Sequence, residues 1–282
     1  MRIVLVMLAR NEADIIGPTL RWHLATGVDH AIVIDHDSTD ATPDILSDLA
    51  RAGRVTHLRR QGLYNQAAMT SELVRLAADE YAADWVVPCD ADELWTCPDK
   101  NLREIVAATP GNVIKVPTVN FVPTANDPAH EADPVLRMQY KAAKPPKIPK
   151  LPYVLKPIQG KVMFNVAGFR EILMGNHVVD VAAPRIGQHE GFVIHHYPLR
   201  SRDHFFLKVI QGGAALEANK SLTKLQGYHW RRWYDLYKRG KLDREWRRMR
   251  LGELRLAAWQ LAGVVHRDVA FGRRYLEAVT RA

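Results

Sequence analysis

The chain has only two cysteines in 282 residues, Cys89 and Cys97, and no Cys-x-x-Cys pair. That excludes a disulfide framework and gives no sign of a structural zinc site. Two reduced thiols fit the cytoplasm. No apolar run approaches the roughly 18–20 residues of a membrane-spanning helix. Internal repeats and low-complexity segments are absent too. At 47% hydrophobic and 25% charged residues, the composition excludes a disordered or fibrous chain. The length can bury a large core as one α/β domain, or as one domain plus a C-terminal extension.

Net positive charge gathers late in the chain. The formal net charge is +8. Residues 230–250 alone hold nine Lys or Arg against three Asp or Glu. Such a stretch suits an anionic partner or a solvated helix face equally well. The N-terminal run Ile3–Ala9 is too short for a secretory leader and meets Arg10-Asn11-Glu12 at once. It reads as a buried parallel strand.

Apolar runs then alternate with helical patterns. Strands are predicted over residues 3–9, 30–34, 55–58 and 85–89, and helices over 12–26, 42–52 and 65–81. Pro43 and Gly53 punctuate the second helix. This alternation predicts an α/β fold, a mostly parallel sheet flanked by helices, with ligands at the carboxyl ends of the strands. Those ends carry Arg10-Asn11-Glu12, then Asp35, Asp37, Ser38, Thr39 and Asp40, then Asp90, Asp92 and Glu93. Three strand ends are expected to converge on one acidic pocket. Residues 123–157 hold eight prolines, too many for regular structure, and read as a long loop or acceptor-side insertion. Later strands are expected at 162–164 and 192–196, and helices from Ser201 on, with a break near Gly240.

Asp90-Ala91-Asp92 places two carboxylates two residues apart behind a buried strand. They can share a hard divalent cation, Mn²⁺ or Mg²⁺, whose shell diphosphate oxygens complete. The competing reading is a solvated acidic turn. Phe192–Tyr197 is an apolar strand holding His195 and His196, and alternation sends only one of them toward any pocket. Tyr228–Trp233 interleaves rings with arginines. It could stack on glycans, nucleic acid or a membrane interface, or it could pack its Trp side on the core, since Trp230, Trp233, Tyr234 and Tyr237 share one helical face.

Taken in order, these motifs resemble family 2-type glycosyltransferases of the GT-A fold, in a branch that also resembles family 92. The carrying segments are Arg10–Asp14, Trp22–His30, Asp35–Asp40 and Cys89–Leu94. His196–Ser201, with Phe205 and Lys208 beyond, resembles that branch's C-terminal motif. The match covers about residues 1–122 closely and 160–220 more loosely. The resemblance implies a nucleotide-sugar-binding half at 1–122, an acceptor-side half at 123–200 and a helical basic extension at 201–282. It implies that Asn11, Glu12, Asp35 and Asp37 border the donor, that Asp90, Asp92 and His196 hold the metal, and that Arg200, Lys208 and Lys161 sit near the diphosphate. Asp40 is as readily an N-cap. Inversion would need a base that takes the acceptor's proton. Asp90 and Asp92 stand at the reacting centre, while Glu171, His177, Asp180 and Glu190 are candidates for that base. The expected activity is metal-dependent transfer from a nucleotide-sugar donor, UDP-linked by the resemblance, to a glycan or glycolipid acceptor. A peripheral membrane contact would run through the basic C-terminus, and nucleic acid is not an expected partner. The alternatives are a basic RNA- or membrane-binding module without turnover, and a metal-dependent phosphohydrolase.

Overall fold

The computed structural model describes residues 1–143, 151–218 and 227–281. Pro145, Pro146 and Pro149 of the proline-rich stretch lie outside the described residues, as does part of the expected C-terminal helical run. In chain order the first half forms β1 (Ile3–Ala9), α1 (Ile16–Ala25), β2 (His30–His36), α2 (Thr42–Arg51), β3 (Val55–Arg60), α3 (Gln66–Asp79), β4 (Trp85–Pro88), β5 (Glu93–Thr96), α4 (Leu102–Ala108), β6 (Val113–Val116) and β7 (Thr118–Asn120). There follow α5 (Pro134–Arg137), β8 (Tyr140–Ala142), β9 (Lys161–Asn165), β10 (Phe169–Ile172), β11 (Val179–Val181), β12 (Ile186–Gly187) and β13 (Val193–His196). The remainder is α6 (Arg202–Ala218), α7 (Tyr228–Lys238), α8 (Leu242–Met249), α9 (Glu253–Leu261), β14 (Val265–Arg267) and α10 (Val269–Arg281).

The chain divides into two compact units. The first comprises residues 1–119, 157–196 and 269–282, the second 120–156 and 197–268. The division expected from sequence ran in three consecutive blocks, and two features displace it. The proline-rich stretch and helices α6–α9 gather around one core of their own. Helix α10 leaves the C-terminal helices and joins the first unit, where Phe271 packs edge-on against Trp22 of α1 at 5.2 Å.

The first unit is built on a sheet of order β12-β6-β9-β4-β1-β2-β3. Strands β4, β1, β2 and β3 run parallel, as the strand–helix alternation predicts. Alternate residues of β1 face opposite layers. Ile3, Leu5 and Met7 meet the side of α1, α2 and α4, while Val4 and Val6 meet α3 through Leu73, Val74 and Ala77. That two-sided burial is why the strands read as unbroken apolar runs. Strand β9 departs from the rule. It lies between β4 and β6 and is antiparallel to both. A smaller sheet of order β5-β13-β7 holds β13 against β5.

Local chemistry sets the element ends. Asn65 caps α3 by accepting from the Ala68 amide at 3.2 Å, and Asn101 with Glu104 forms a capping box on α4. Helix α1 starts at Ile16, not at residue 12, and is preceded by a turn in which the Glu12 carbonyl accepts from the amides of both Ile15 and Ile16. Strand β2 runs on to His36, two residues beyond the expected end, so Asp35 belongs to the strand and not to the loop after it.

The second unit buries rings. Phe205, Trp233 and Trp246 pack with Leu199, Leu242 and Met249, and Trp233 meets Phe205 edge-on at 5.2 Å. Of the two readings of Tyr228–Trp233, the structure takes the packed helix for Trp233, whereas Tyr228 is exposed. Among the described residues no helix is long and apolar enough to cross a membrane.

Candidate functional site

Strand β4 hands the chain to a turn, Cys89–Asp92, at the carboxyl edge of the sheet. Three bonds pin that turn. The Cys89 amide donates to the Val6 carbonyl at 3.0 Å, the Thr19 hydroxyl to the Ala91 carbonyl at 2.6 Å, and the Asp90 amide to Glu93 Oε2 at 3.1 Å. Asp92 and Glu93 are buried, while Asp90 is part-exposed.

The charge facing these carboxylates comes from the antiparallel strand. A parallel strand offers its last residue to the ligand edge; β9, running the other way, offers its first. Lys161 Nζ lies 2.6 Å from Asp90 Oδ2 and 2.8 Å from Glu93 Oε1. Burial alone would push the lysine toward neutrality. Asp90 and Glu93 outweigh it and raise its pKa, so Lys161 stays charged. Burial pushes Glu93 up from its ordinary 4.5 to about 7, against the pull of Lys161. The Cys89 thiol beneath them is pushed up by burial and by the Glu93 charge and stays protonated.

The two histidines of β13 part as strand alternation requires. His196 stands opposite Glu93 in the ladder, and its Nε2 is 3.6 Å from Asp92 Oδ2. Burial works against its protonation, but Asp92 wins and its pKa is raised. His195 turns to the other layer, where its ring meets Phe271 edge-on at 4.3 Å. Two donors bound to one ion at about 2.1 Å sit about 3 Å apart, so Asp92 and His196 suit a shared divalent cation. Asp90 does not join them as the side chains stand: its carboxylate is held by Lys161, and the three ligand atoms are not all within 4.8 Å of one another.

The neighbouring strand ends of β1 and β2 form a tied double loop. Asn11 and Asp37 both adopt left-handed backbone, at φ 55° and 57°, a region that Asn and Asp tolerate best among side-chain-bearing residues. The Asn11 side-chain oxygen accepts from the Thr39 amide at 2.7 Å and the Asp40 amide at 3.3 Å. The Glu12 amide donates to the Thr42 hydroxyl at 2.8 Å. Asp40 accepts from the Ala13 and Thr42 amides at 3.1 and 2.9 Å. Asn11 and Asp40 thus knit the loops together. Asp35 is different. One of its oxygens accepts from the Ser38 amide at 3.2 Å. The other lies 3.7 Å from the Arg59 guanidinium and has no hydrogen-bond partner among the described residues. His36 beside it is buried, edge-on to Tyr64 at 5.4 Å, and neither ring nitrogen has a hydrogen-bond partner among the described residues.

The base candidates separate. Glu171 is exposed on the β10–β11 hairpin, opposite Asp180, and Glu190 is exposed as well. His177 is half-buried, and its Nδ1 donates to the Gly160 carbonyl at 2.9 Å. That leaves Nε2 with the lone pair. Burial lowers its pKa, and the fields of Lys161 and Asp90 both reach it. Two glycines make this arrangement. A Cβ at Gly160 would meet the Val116 carbonyl oxygen at 2.3 Å, and one at Gly175, where φ is 83°, would meet the His177 ring at 2.6 Å.

Arg200 and Lys208 belong to the second unit. Arg200 is buried, with Nη1 donating to the Tyr197 carbonyl at 3.1 Å and Nη2 2.6 Å from His204 Nε2. Lys208 is half-buried on α6. Sequence reasoning singled out neither Glu93 nor His36 as a site residue and took Lys161 for a diphosphate contact. The one available signal for Lys161 was its place at the head of an apolar strand.

The family model described as glycosyl transferase family 2 matches residues 4–170. No curated protein matches the sequence. Among solved structures, S. aureus TarS 1-349 in complex with UDP is similar at 12% identity and a TM-score of 0.44, covering 80% of this chain and 68% of that one. A putative glucose-1-phosphate thymidylyltransferase from Bacillus anthracis in complex with a sucrose is similar at 11% identity and a TM-score of 0.30, covering 89% of this chain and 86% of that one.

Proposed function

The chain belongs to glycosyl transferase family 2 and is a glycosyltransferase; from that premise we propose metal-assisted, inverting transfer of a sugar from a nucleoside-diphosphate donor to a glycan or glycolipid acceptor. The observation that carries this reading is the pair of buried Asp92 and half-buried His196, 3.6 Å apart, on the edge where the strand ends of β4, β1 and β2 lie side by side. A carboxylate with an imidazole favours Mn²⁺ over Mg²⁺, which prefers all-oxygen shells. When bound, the ion neutralises charge on the departing diphosphate.

The remaining roles fall to the chain's own groups. Asp35 has an oxygen without a hydrogen-bond partner among the described residues and can accept from a base N–H or a ribose hydroxyl. Lys161 holds Asp90 and Glu93 in place and offsets their charge beside the diphosphate. His177 is the base: its lowered pKa keeps it neutral near pH 7, and Nε2 is the nitrogen that takes the acceptor's proton. Glu171, exposed on its hairpin, is the weaker candidate. The run from His196 to Ser201 favours the branch resembling family 92, the donor is a UDP-sugar, and the setting is cytoplasmic. The arginines of the second unit suit an anionic partner, either the acceptor or a membrane surface.

Thermal shift with UDP, GDP and CMP, each with Mn²⁺, Mg²⁺ or chelator, tests this. A ligand at 100 times its Kd should add about 2.7 kcal/mol of stability. UDP with Mn²⁺ should give the largest shift. Asp92→Asn and His196→Ala should each abolish the Mn²⁺-dependent part, and His195→Ala should not. An undiminished Mn²⁺ effect in the first two variants would sink the metal assignment.

A further inference from the structure

Helix α9 presents the wrong face to water. Leu254 and Leu261 are 88% and 93% exposed. At about 100° per residue, Leu254, Ala257, Ala258 and Leu261 fall on one outward stripe, and both alanines are exposed as well. The opposite side is anchored: Leu256 is buried, and Trp259 packs against the core of the second unit. A surface helix normally reverses this pattern, with apolar residues inward and charge outward. One exposed arginine borders the stripe on α9, with the exposed Glu253 at the head of the helix, and further arginines lie in the segment before it. Arg255 flanks it on α9 and donates to the Arg248 carbonyl at 2.9 Å. Arg244, Arg247, Arg248 and Arg250 are all exposed on and just after α8. The acidic residue within α8's inner face, Glu245, is buried and paired with Arg232 at 2.9 Å.

We propose that the α9 stripe, with its arginine border, docks the protein on an anionic phospholipid surface. Leu254 and Leu261 enter the headgroup–acyl boundary, and the arginines meet lipid phosphates. A helix of nine residues lies along such an interface and cannot cross it. Charge and shape select this occupant over others. A second copy of the chain meeting the same face two-fold would bring the arginine borders together. A nucleic acid would use the arginines and leave two leucines against water. The inference rests on the reading of the second unit as facing an anionic partner, and it adds that this partner is a lipid surface which takes up apolar side chains.

Co-sedimentation of the full chain with vesicles tests it, without nucleotide. The probes are pure phosphatidylcholine and a 7:3 mixture with phosphatidylglycerol. The chain should bind the anionic vesicles at least tenfold more tightly than the neutral ones, and salt should weaken that binding. Leu254→Ser with Leu261→Ser should lower it at least tenfold. Both side chains stand in water, so the variant should fold and keep its UDP-dependent thermal shift. Arg247→Glu with Arg248→Glu should weaken binding as well. If only the arginine variant loses binding, the anionic-partner reading stands and lipid insertion is overturned. If no form binds anionic vesicles, lipid docking is overturned and the arginines are left to an anionic acceptor. A dimer in sedimentation velocity that the serine variant dissolves would assign the stripe to a second copy and overturn the proposal.

Discussion

The two units treat charge in opposite ways. The first buries part of it: Lys161, Glu93, Asp92 and Asp35 are buried, each facing an opposite charge from Asp90, Glu93, His196, Lys161 or the exposed Arg59. The second keeps most of its charge outside and fills its interior with rings. Buried ion pairs are a poor source of stability, since each ion loses its hydration. Finding them grouped at strand ends therefore marks a place where chemistry outranks stability. The second unit, with its rings inside and cations outside, is organised for its surface.

The largest effects should test that contrast directly. Lys161→Met removes the counter-ion of Glu93, whose pKa of about 7 then rises further; at alkaline pH, where Glu93 must ionise unpaired, the loss should be about 3–5 kcal/mol, and near pH 7, where it takes up a proton, less. Trp233→Ala in the second unit should cost a similar amount through the cavity it leaves. The two losses differ in kind. Adding Glu93→Gln should restore most of the first, while no charge change should restore the second. Urea denaturation of the three variants reads this; failure of the added glutamine to rescue would deny Glu93 its role as the stranded charge.

A smaller loss is expected at Gly175. Alanine there must hold a positive φ and displace the His177 ring, at about 1–3 kcal/mol. If His177 is the base, kcat should fall more than KM rises, and the pH profile of kcat should shift.

The pH dependence should take opposite signs at two groups, one in each unit. Glu93 has a pKa of about 7 in the fold against an ordinary 4.5. Between those values the folded chain keeps a proton that the unfolded chain has released, so stability falls as pH rises through that window. His229 is pushed down by burial from 6.5 to about 4. Between those values the unfolded chain binds the proton, so stability rises with pH. Removing each group, as Glu93→Gln and His229→Asn, should change the slope of stability against pH in opposite directions. Slopes that move the same way would remove the contrast. The smallest effect belongs to the surface: Arg247→Glu with Arg248→Glu should alter folding stability by no more than about 0.5 kcal/mol per site.

Much of the first unit was legible from sequence. Strand–helix alternation with turn residues gave β1 to β4 and α1 to α3, because each element's signal is local. Strand alternation separated His196 from His195 for the same reason. What escaped depends on pairing. Nothing within residues 161–165 says that the strand enters antiparallel between β4 and β6, and that direction alone decides that Lys161 meets Asp90 and Glu93. Asn11 and Asp40 escaped in another way. Their types suit ligand contact and loop bracing equally, and only the partner amides of a loop nearly 30 residues away decide between them. The placement of α10 in the first unit likewise rests on Trp22, about 250 residues upstream.

That interleaving bears on how the protein is made. A ribosome delivers the acidic turn at residues 90–93 long before β9, β13 and α10. While the chain ends short of residue 161, three carboxylates crowd the edge of a forming sheet with neither Lys161 nor His196 to offset them. Domains tend to assemble from the amino terminus as they emerge, yet this one waits for parts synthesised after most of another unit. Nascent chains stalled before β9, after β13 and after α10 should therefore differ in protease resistance, with full resistance only once α10 clears the exit tunnel.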